Sequence, residues 1–272
     1  MKILVTNDDG FDNPAIWSLV RAVKDLGEVT VVAPAGNQSG IGTGLTLRTS
    51  VKINEAPSRV EGVKCYAVSG TPADSVVLGL EHVLLGGADA VVSGINPGFN
   101  TSRNVFLSGT MGAAIQAAAK GVKACAFSMD ASDNFDDPTV KDVIGAITTE
   151  LLSAETERGA LFNVNIPTFD ETPIEGVEGA APAPSEFKSF IEEQSDGGFE
   201  IISGLAVHID GLELVSGTDV EVLSRNRIAI SSLEGPTLAH QPHDPTLQRM
   251  IEAATVLSVD EPGAAIQNIV RT

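Results

Sequence analysis

Residues 2–10 have the sequence KILVTNDDG, and this stretch indicates the fold. The segment KILVT at 2–6 is a short apolar run, typical of a strand that is buried on both faces of a sheet. It is followed by Asn7, the adjacent acids Asp8 and Asp9, and Gly10, which lets the backbone turn sharply. In an open parallel sheet, ligands bind beyond the carboxyl ends of the strands, so we expect a functional site here.

Similar apolar runs recur along the chain and alternate with segments of helix-like spacing. The predicted strands are KILVT at 2–6, VTVVA at 29–33, CYAV at 65–68, DAVVS at 89–93, VKACAF at 122–127 and LFNVNI at 161–166. The predicted helices span 14–26, 72–85, 109–120 and 139–152. This alternation predicts an α/β fold, with a Rossmann-like, mostly parallel sheet and helices on both faces.

The pattern changes after about Pro182, where Gly-containing turns separate β-type runs. We therefore predict a catalytic core at 1–182 and, at 183–272, a β-hairpin and helix extension that is not an independent domain. Residues 216–219 predict a turn before a strand at 220–223, and TLQRMIEAATVL at 246–257 has helical spacing. An isolated hairpin is marginally stable in water, so we expect the extension to make the contacts of a homodimer or homotetramer.

The chain is strongly acidic, with 36 Asp and Glu against 17 Lys and Arg and a net charge of −19. Polymeric nucleic acid is excluded as a partner, because phosphate binding requires clustered basic residues and base stacking requires aromatics, which make up 4% of the chain. The acidity is typical of proteins that stay soluble at high salt, and equally of an ordinary acidic surface.

No apolar run approaches the roughly 18 residues of a membrane span, so no membrane partner is expected. The two cysteines, Cys65 and Cys125, lie in apolar runs and are too few for a disulfide framework. They are predicted to be buried thiols. The start of the sequence has no apolar segment of signal-peptide length, so we expect a cytoplasmic protein.

Asp8 and Asp9 are candidate ligands of a metal ion. Adjacent carboxylates repel each other unless a cation lies between them or one is protonated, and Mg²⁺ or Mn²⁺ prefers such oxygen ligands. The alternative is that one of the two acids simply caps the next helix.

Two further segments carry oxygen ligands and amide donors. The second predicted strand is followed by a loop at 36–44, where backbone amides including that of Gly40 could hold phosphate oxygens, although a flexible surface loop is the alternative. The fourth predicted strand leads to Asn96. A helix is then predicted to begin at Ser108, Gly109 and Thr110, and its amino end favours an anion. The alternative is that the two hydroxyls are ordinary helix caps. Together these segments favour metal-assisted phosphate chemistry.

Several motifs, in this order along the chain, closely resemble the SurE family of stationary-phase survival nucleotidases. They are NDDG at 7–10, VVAP at 31–34 with NQSG at 37–40, SGTP at 69–72, SGIN at 93–96 with Gly98 and Asn100, SGTMGAA at 108–114, NVNIP at 163–167 and GTDVEVLSRNRIAISSL at 217–233.

The resemblance implies a 5'-nucleotidase that hydrolyses nucleoside monophosphates with one divalent ion, Mg²⁺ or Mn²⁺, per subunit. It implies Asp8, Asp9, Ser39 and Asn96 as metal ligands, and it places Ser108, Gly109 and Thr110 at the substrate phosphate, with Gly40 and Asn96 beside it. The family usually has Asp and Tyr where this chain has Asn104 and Leu107.

For the mechanism we favour attack by water, with Asp8 and Asp9 as catalytic residues and Asp8 as the proton carrier. A phosphoaspartyl intermediate on Asp8 is the rival route, but Gly10 stands where aspartyl-nucleophile phosphatases carry a second acid. A non-catalytic module that binds nucleotide or metal is the alternative function. His240 and His243 do not suggest zinc, because Pro242 separates them and no cysteine is near.

Overall fold

The structure is a computed structural model that describes residues 1–130, 134–153, 159–167, 174–184, 189–203 and 214–233. The strands are β1 Lys2–Thr6, β2 Glu28–Pro34, β3 Ile53–Glu55, β4 Lys64–Val68, β5 Ala90–Pro97, β6 Lys123–Met129, β7 Leu161–Ile166, β8 Val177–Gly179, β9 Ser189–Glu193, β10 Phe199–Ser203 and β11 Ile228–Leu233. The α-helices are α1 Pro14–Val23, α2 Pro72–Leu78, α3 Gly109–Ala119, α4 Pro138–Ser153 and α5 Asp219–Ser224.

The main sheet has nine strands in the order β3-β4-β2-β1-β5-β6-β7-β11-β8. Neighbouring strands from β4 to β7 in this order are parallel, whereas β3 and β11 run antiparallel to β4 and β7. The predicted α/β class and mostly parallel sheet are confirmed. The chain starts in the middle at β1, builds one half through β2 and β4, and then crosses to β5, so the strand order reverses between β1 and β5. Ligands bind at such a reversal in open α/β sheets.

Helices cover both faces because successive strand residues point to opposite sides. In β1, Ile3 and Val5 pack in the core formed with α1 and α4, and Leu4 packs in the core formed with α2 and α3. Cys65 and Cys125 are buried free thiols, as predicted. No helix in the described part of the chain is long and apolar enough to cross a membrane.

The first helix begins as its sequence predicts. The Asn13 side chain accepts a hydrogen bond from the Ala15 amide, and Pro14 occupies the first turn, where its missing N–H costs nothing. The second predicted helix is shorter than expected: α2 ends at Leu78, and residues 79–83 continue as a wider π-helical turn.

The chain after Pro182 returns to the main sheet before it leaves the described residues. A hairpin of β9 and β10 lies within the predicted extension, but at 189–203 and not at the strand predicted for 220–223, and β11 then pairs with β7. The chain divides into two units, 1–236 and 237–272. The boundary at 182/183 stays a prediction. The second unit, with the predicted helix at 246–257 and both His240 and His243, lies outside the described residues.

The predicted strand at 220–223 is wrong, because this segment is helix α5. A run of four residues has too little periodicity to separate a strand from a helix turn. Asp219 and Glu221 lie in the first turn, where the helix dipole favours negative charge, and Arg225 pairs with Glu221 one turn later.

Candidate active site

The acids Asp8 and Asp9 lie directly beyond the carboxyl end of β1, next to the point where the strand order reverses. Asp8 is only 2% exposed, and its Oδ1 accepts a hydrogen bond of 2.5 Å from the Thr110 hydroxyl. Burial raises the pKa of Asp8, and the hydrogen bond from Thr110 opposes that rise. The helix that begins at Gly109 therefore contacts the first acid of the pair directly.

Asp9 is the second acid of the pair, and burial followed by the charge of Asp8 raises its pKa to about 7. Its Oδ2 is buried and has no hydrogen-bond partner among the described residues, and the same holds for Oδ1 of Asn7. Buried polar atoms are normally paired, so these oxygens need a donor or a cation. The residues present therefore fit a divalent ion, which binds oxygen ligands and relieves the repulsion between the two carboxylates.

Asn96 lies at the end of β5 and shares the Thr110 hydroxyl with Asp8. Its Oδ1 is 3.2 Å from Thr110 Oγ1, and its side-chain nitrogen Nδ2 donates to the Gly98 carbonyl over 2.6 Å. The sheet thus brings Asp8, Asn96 and Thr110 together, although 102 residues of sequence separate the first from the last.

Ser39 and Gly40 lie on the exposed loop after β2, which is joined to the acid pair through the backbone. The Gln38 amide donates to the Asp8 carbonyl over 2.7 Å, and the Ser39 amide donates to the Asn37 side chain over 2.8 Å. The loop is therefore held beside Asp8, although no hydrogen bond within the described part of the chain joins the Ser39 side chain to either acid.

Within the described residues, no group of three or more His, Cys, Asp and Glu side chains could hold a metal ion. The predicted ligand set differs from such a group, because only Asp8 and Asp9 supply carboxylates and the remaining oxygens come from Ser39 and Asn96.

The amino end of α3 faces the acid pair. Ser108 is the cap residue, and its Oγ accepts a hydrogen bond of 3.1 Å from the Met111 amide, which leaves the hydroxyl proton to donate. A side chain at Gly109 would place its Cβ 2.7 Å from Asp8 Cβ, so only glycine allows this approach. The backbone amides of Gly109 and Thr110 interact with the Asp8 carboxylate here, and the positive end of the helix dipole suits an anion.

A buried amide network supports the segment that follows Asn96. The backbone amide of Asn100 donates to Oδ1 of Asn165 over 2.8 Å. The backbone carbonyl of Asn100 accepts from Nδ2 of Asn165 over 3.1 Å and from Nδ2 of Asn163 over 2.7 Å. The Asn100 side chain donates to Ser128 over 2.8 Å. The motif NVNIP thus holds the loop beyond β5 in place, a role that its sequence alone did not indicate.

Asp219 anchors the next part of the same segment from α5. Its side chain is fully buried, Oδ2 accepts the Ser102 amide over 2.8 Å, and Oδ1 accepts the Ala183 amide over 2.9 Å and the Val220 amide over 2.8 Å. Burial raises its pKa, and these backbone bonds oppose the rise. A residue in the last described part of the chain thereby positions the segment that leads to Ser108.

We expect Asp219→Ala to lower the free energy of unfolding by about 2 kcal/mol, because an unpaired buried donor costs roughly 1–3 kcal/mol. Phosphate release should fall as well, since the Ser102 segment loses its anchor. Chemical denaturation followed by circular dichroism measures the first effect. Asp196→Ala, at the exposed turn of the hairpin, is the control, and equal stability of the two variants would contradict the anchoring role.

The chain is similar to proteins of known family. The model of the family described as Survival protein SurE matches residues 3–189. The chain is 39% identical to the 5'-nucleotidase SurE of Methanopyrus kandleri over 246 residues, which are 86% of this chain and 91% of that protein. It is 36% identical to the 5'-nucleotidase SurE of Cytophaga hutchinsonii over 241 residues, which are 88% of this chain and 93% of that protein.

A solved structure is similar over nearly the whole molecule. The crystal structure of SurE protein from Aquifex aeolicus superimposes with a TM-score of 0.71 at 27% identity, covering 95% of this chain and 100% of that one. Sequence, family model and fold agree, and the chain belongs to the SurE family.

Proposed function

We propose that the protein is a phosphomonoesterase that hydrolyses nucleoside monophosphates to nucleoside and phosphate, with one Mg²⁺ or Mn²⁺ per subunit. The observation that carries the proposal is the pair formed by the buried Asp8 and the half-buried Asp9 beside the amino end of α3, with an oxygen of Asp9 that is buried and unpaired among the described residues. The relatives named 5'-nucleotidase support nucleotides as the substrate class.

The metal ion would be held by the side chains of Asp8, Asp9, Ser39 and Asn96. Such an ion supplies neutralisation of the phosphate charge and a more acidic bound water. The chain's own contribution is to bring carboxylate, hydroxyl and amide oxygens to one edge of the sheet and to keep Asp8 away from bulk water.

The substrate phosphate would lie at the amino end of α3. There the Ser108 hydroxyl keeps its proton to donate to the non-bridging oxygens, whereas Gly109 and Thr110, which now interact with Asp8, would exchange those contacts for the phosphate. Donors that are already in position stabilise the charge that develops in the transition state without reorganising.

Asp8 would accept the proton of the attacking water. Its Oδ1 accepts the Thr110 hydroxyl, so the carboxylate is oriented before substrate binds. The phosphoaspartyl route remains the alternative, and trapping of a labelled aspartyl phosphate on Asp8 would reveal it.

Release of inorganic phosphate from AMP, GMP and p-nitrophenyl phosphate, with and without Mn²⁺, tests the proposal. We expect release from both nucleotides that depends on the ion, because the buried carboxylates need a cation. Binding of nucleotide or Mn²⁺ without any release would instead support a non-catalytic binding module.

We also propose that the protein is a homodimer or homotetramer through contacts of residues 183–272. The exposed side chains of Ile191 and Phe199, which are 68% and 69% exposed on the hairpin, support this. Light scattering should give a multiple of 28.2 kDa. A double variant with lysine at both positions should assemble less, and a monomeric unmodified protein would contradict the proposal.

A further inference from the structure

The sequence SGTP at 69–72 lies in the turn before α2, where Thr71 forms a capping box with Asp74. The Thr71 hydroxyl accepts a hydrogen bond from the Asp74 amide over 3.0 Å, and the Asp74 carboxylate accepts the Thr71 amide over 2.9 Å. These two bonds satisfy donors at the start of the helix. Asp74 is only 4% exposed, and a carboxylate this deeply buried is costly unless further donors surround it.

The further donors come from the loop after β2. The Thr46 backbone amide donates to Asp74 Oδ1 over 2.9 Å, and the Thr46 hydroxyl donates to Asp74 Oδ2 over 2.6 Å. The Thr71 hydroxyl, which accepts from the helix, donates in turn to the Gly44 carbonyl over 2.7 Å. A helix cap requires none of these three bonds. We call Thr46, Thr71 and Asp74 the loop latch.

The loop that the latch holds carries two of the predicted site residues. It contains no helix or strand between β2 and β3, and Ser39 and Gly40 are exposed on it. They lie between the Gln38 amide, which is bonded to the Asp8 carbonyl, and the latch at Thr46. Ordering such a segment costs conformational entropy, so the bonds at its two ends decide what fraction of the protein has the loop at the site.

The loop crosses the amino ends of two helices, α2 at the latch and α3 beside the acid pair. The Gly42 amide donates to the Leu107 carbonyl over 2.8 Å, just before α3 begins. A Cβ at Gly112 would collide with the Gly42 carbonyl oxygen, so the loop and α3 are in direct contact. Because Thr46 follows Gly42 closely in the sequence, a displacement at the latch would reach this contact and Ser39.

We propose that the loop latch positions Ser39 and Gly40 at the candidate active site, with Asp74 as a positioning residue that acts through the loop. This rests on the proposed function, in which Ser39 is a ligand of the metal ion. The apparent affinity for a ligand falls in proportion to the fraction of the protein in the binding conformation, so a loosened loop binds the ion more weakly. The latch thus sets the ion concentration that the site needs.

Thr46→Val tests the latch because it removes one bond and leaves the capping box of α2 intact. It keeps the size of the side chain and the backbone amide but loses the hydroxyl that donates to Asp74. We expect the Kd of Mn²⁺, measured by calorimetry, to rise roughly fivefold, the effect of losing one hydrogen bond that holds the binding conformation. Thr46→Ser, which keeps the hydroxyl, should retain the Kd of the unmodified protein. Excess Mn²⁺ should restore phosphate release by the Thr46→Val protein.

Asp137→Ala is the matched control for the loss of a bond at the start of a helix. The Asp137 side chain accepts the Thr139 amide over 2.7 Å at the start of α4, which packs on the other face of the sheet. This variant should lower the melting temperature and leave the Kd of Mn²⁺ unchanged. If Thr46→Val likewise lowers only the melting temperature, or reduces the number of binding sites without raising the Kd, the latch is merely structural and the proposal is overturned.

Hydrogen exchange of the metal-free protein separates the latch from the proposed function. Thr46→Val should speed exchange at the Gln38 and Gly42 amides, whose bonds to Asp8 and Leu107 lie outside the latch. Faster exchange supports the latch even if the protein neither binds Mn²⁺ nor releases phosphate, in which case the proposed function alone fails. Unchanged exchange at both amides, or an equal rise in Kd in Thr46→Ser and Thr46→Val, would overturn the latch.

Discussion

Asp8→Asn is expected to reduce phosphate release from AMP by about 10³-fold, within the range of general acid–base catalysis. The substitution keeps the size of the side chain and an oxygen that can accept the Thr110 hydroxyl. It removes the charge that would bind the metal and the group that would take the proton. The initial rate of phosphate release at saturating Mn²⁺ measures the effect.

Two further variants show whether the loss of phosphate release is specific to Asp8. Asp9→Asn should weaken Mn²⁺ affinity and leave the metal-free fold as stable or slightly more stable, because it removes one of two buried like charges. Asp12→Asn changes an exposed acid in the same turn, paired with Arg59, and should have little effect. An Asp8→Asn protein with full activity would show that the acid pair only stabilises the turn after β1 and takes no part in catalysis.

Removal of divalent ions is expected to abolish phosphate release while the protein stays folded. Chelation by EDTA leaves the carboxylates of Asp8 and Asp9 without a counter-charge, which weakens binding of an anionic substrate. It does not affect the apolar cores on either face of the sheet. Mn²⁺ or Mg²⁺ should restore activity. The melting temperature should rise with ion concentration, because a ligand that binds only the native state stabilises it by mass action.

The Asp9→Asn variant is the control for chelation, since it should need more Mn²⁺ for the same recovery. Full activity in chelated protein, after atomic absorption has confirmed that no ion remains, would end the metal proposal. Loss of the circular dichroism spectrum on chelation would give the ion a structural role instead.

The central sheet could be predicted from the sequence because its strands are buried on both faces. Runs such as VTVVA at 29–33 are apolar except for Thr30, and the helices between the strands have the spacing of one buried face. The candidate site followed from the same pattern, since Asp8 and Asn96 each come directly after such a run.

The supports of the site could not be predicted in this way. Asn163 and Asn165 lie inside an otherwise apolar strand, and their partner Asn100 is more than 60 residues away in sequence. Asp219 belongs to a segment that the sequence alone suggested was a turn before a strand. Buried hydrogen bonds of this kind depend on which segments the sheet brings together, and a single sequence does not carry that information.

Trp17 is the single tryptophan of the chain. Its indole nitrogen donates over 3.1 Å to the carbonyl of Phe11, two residues after Asp9, and the two rings meet edge to face at 5.1 Å. The Arg59 guanidinium lies 5.5 Å from the indole ring. The emission of this one fluorophore therefore reports on the turn that carries the acid pair, so an optical titration of the unlabelled protein should follow occupancy of the site without any substrate.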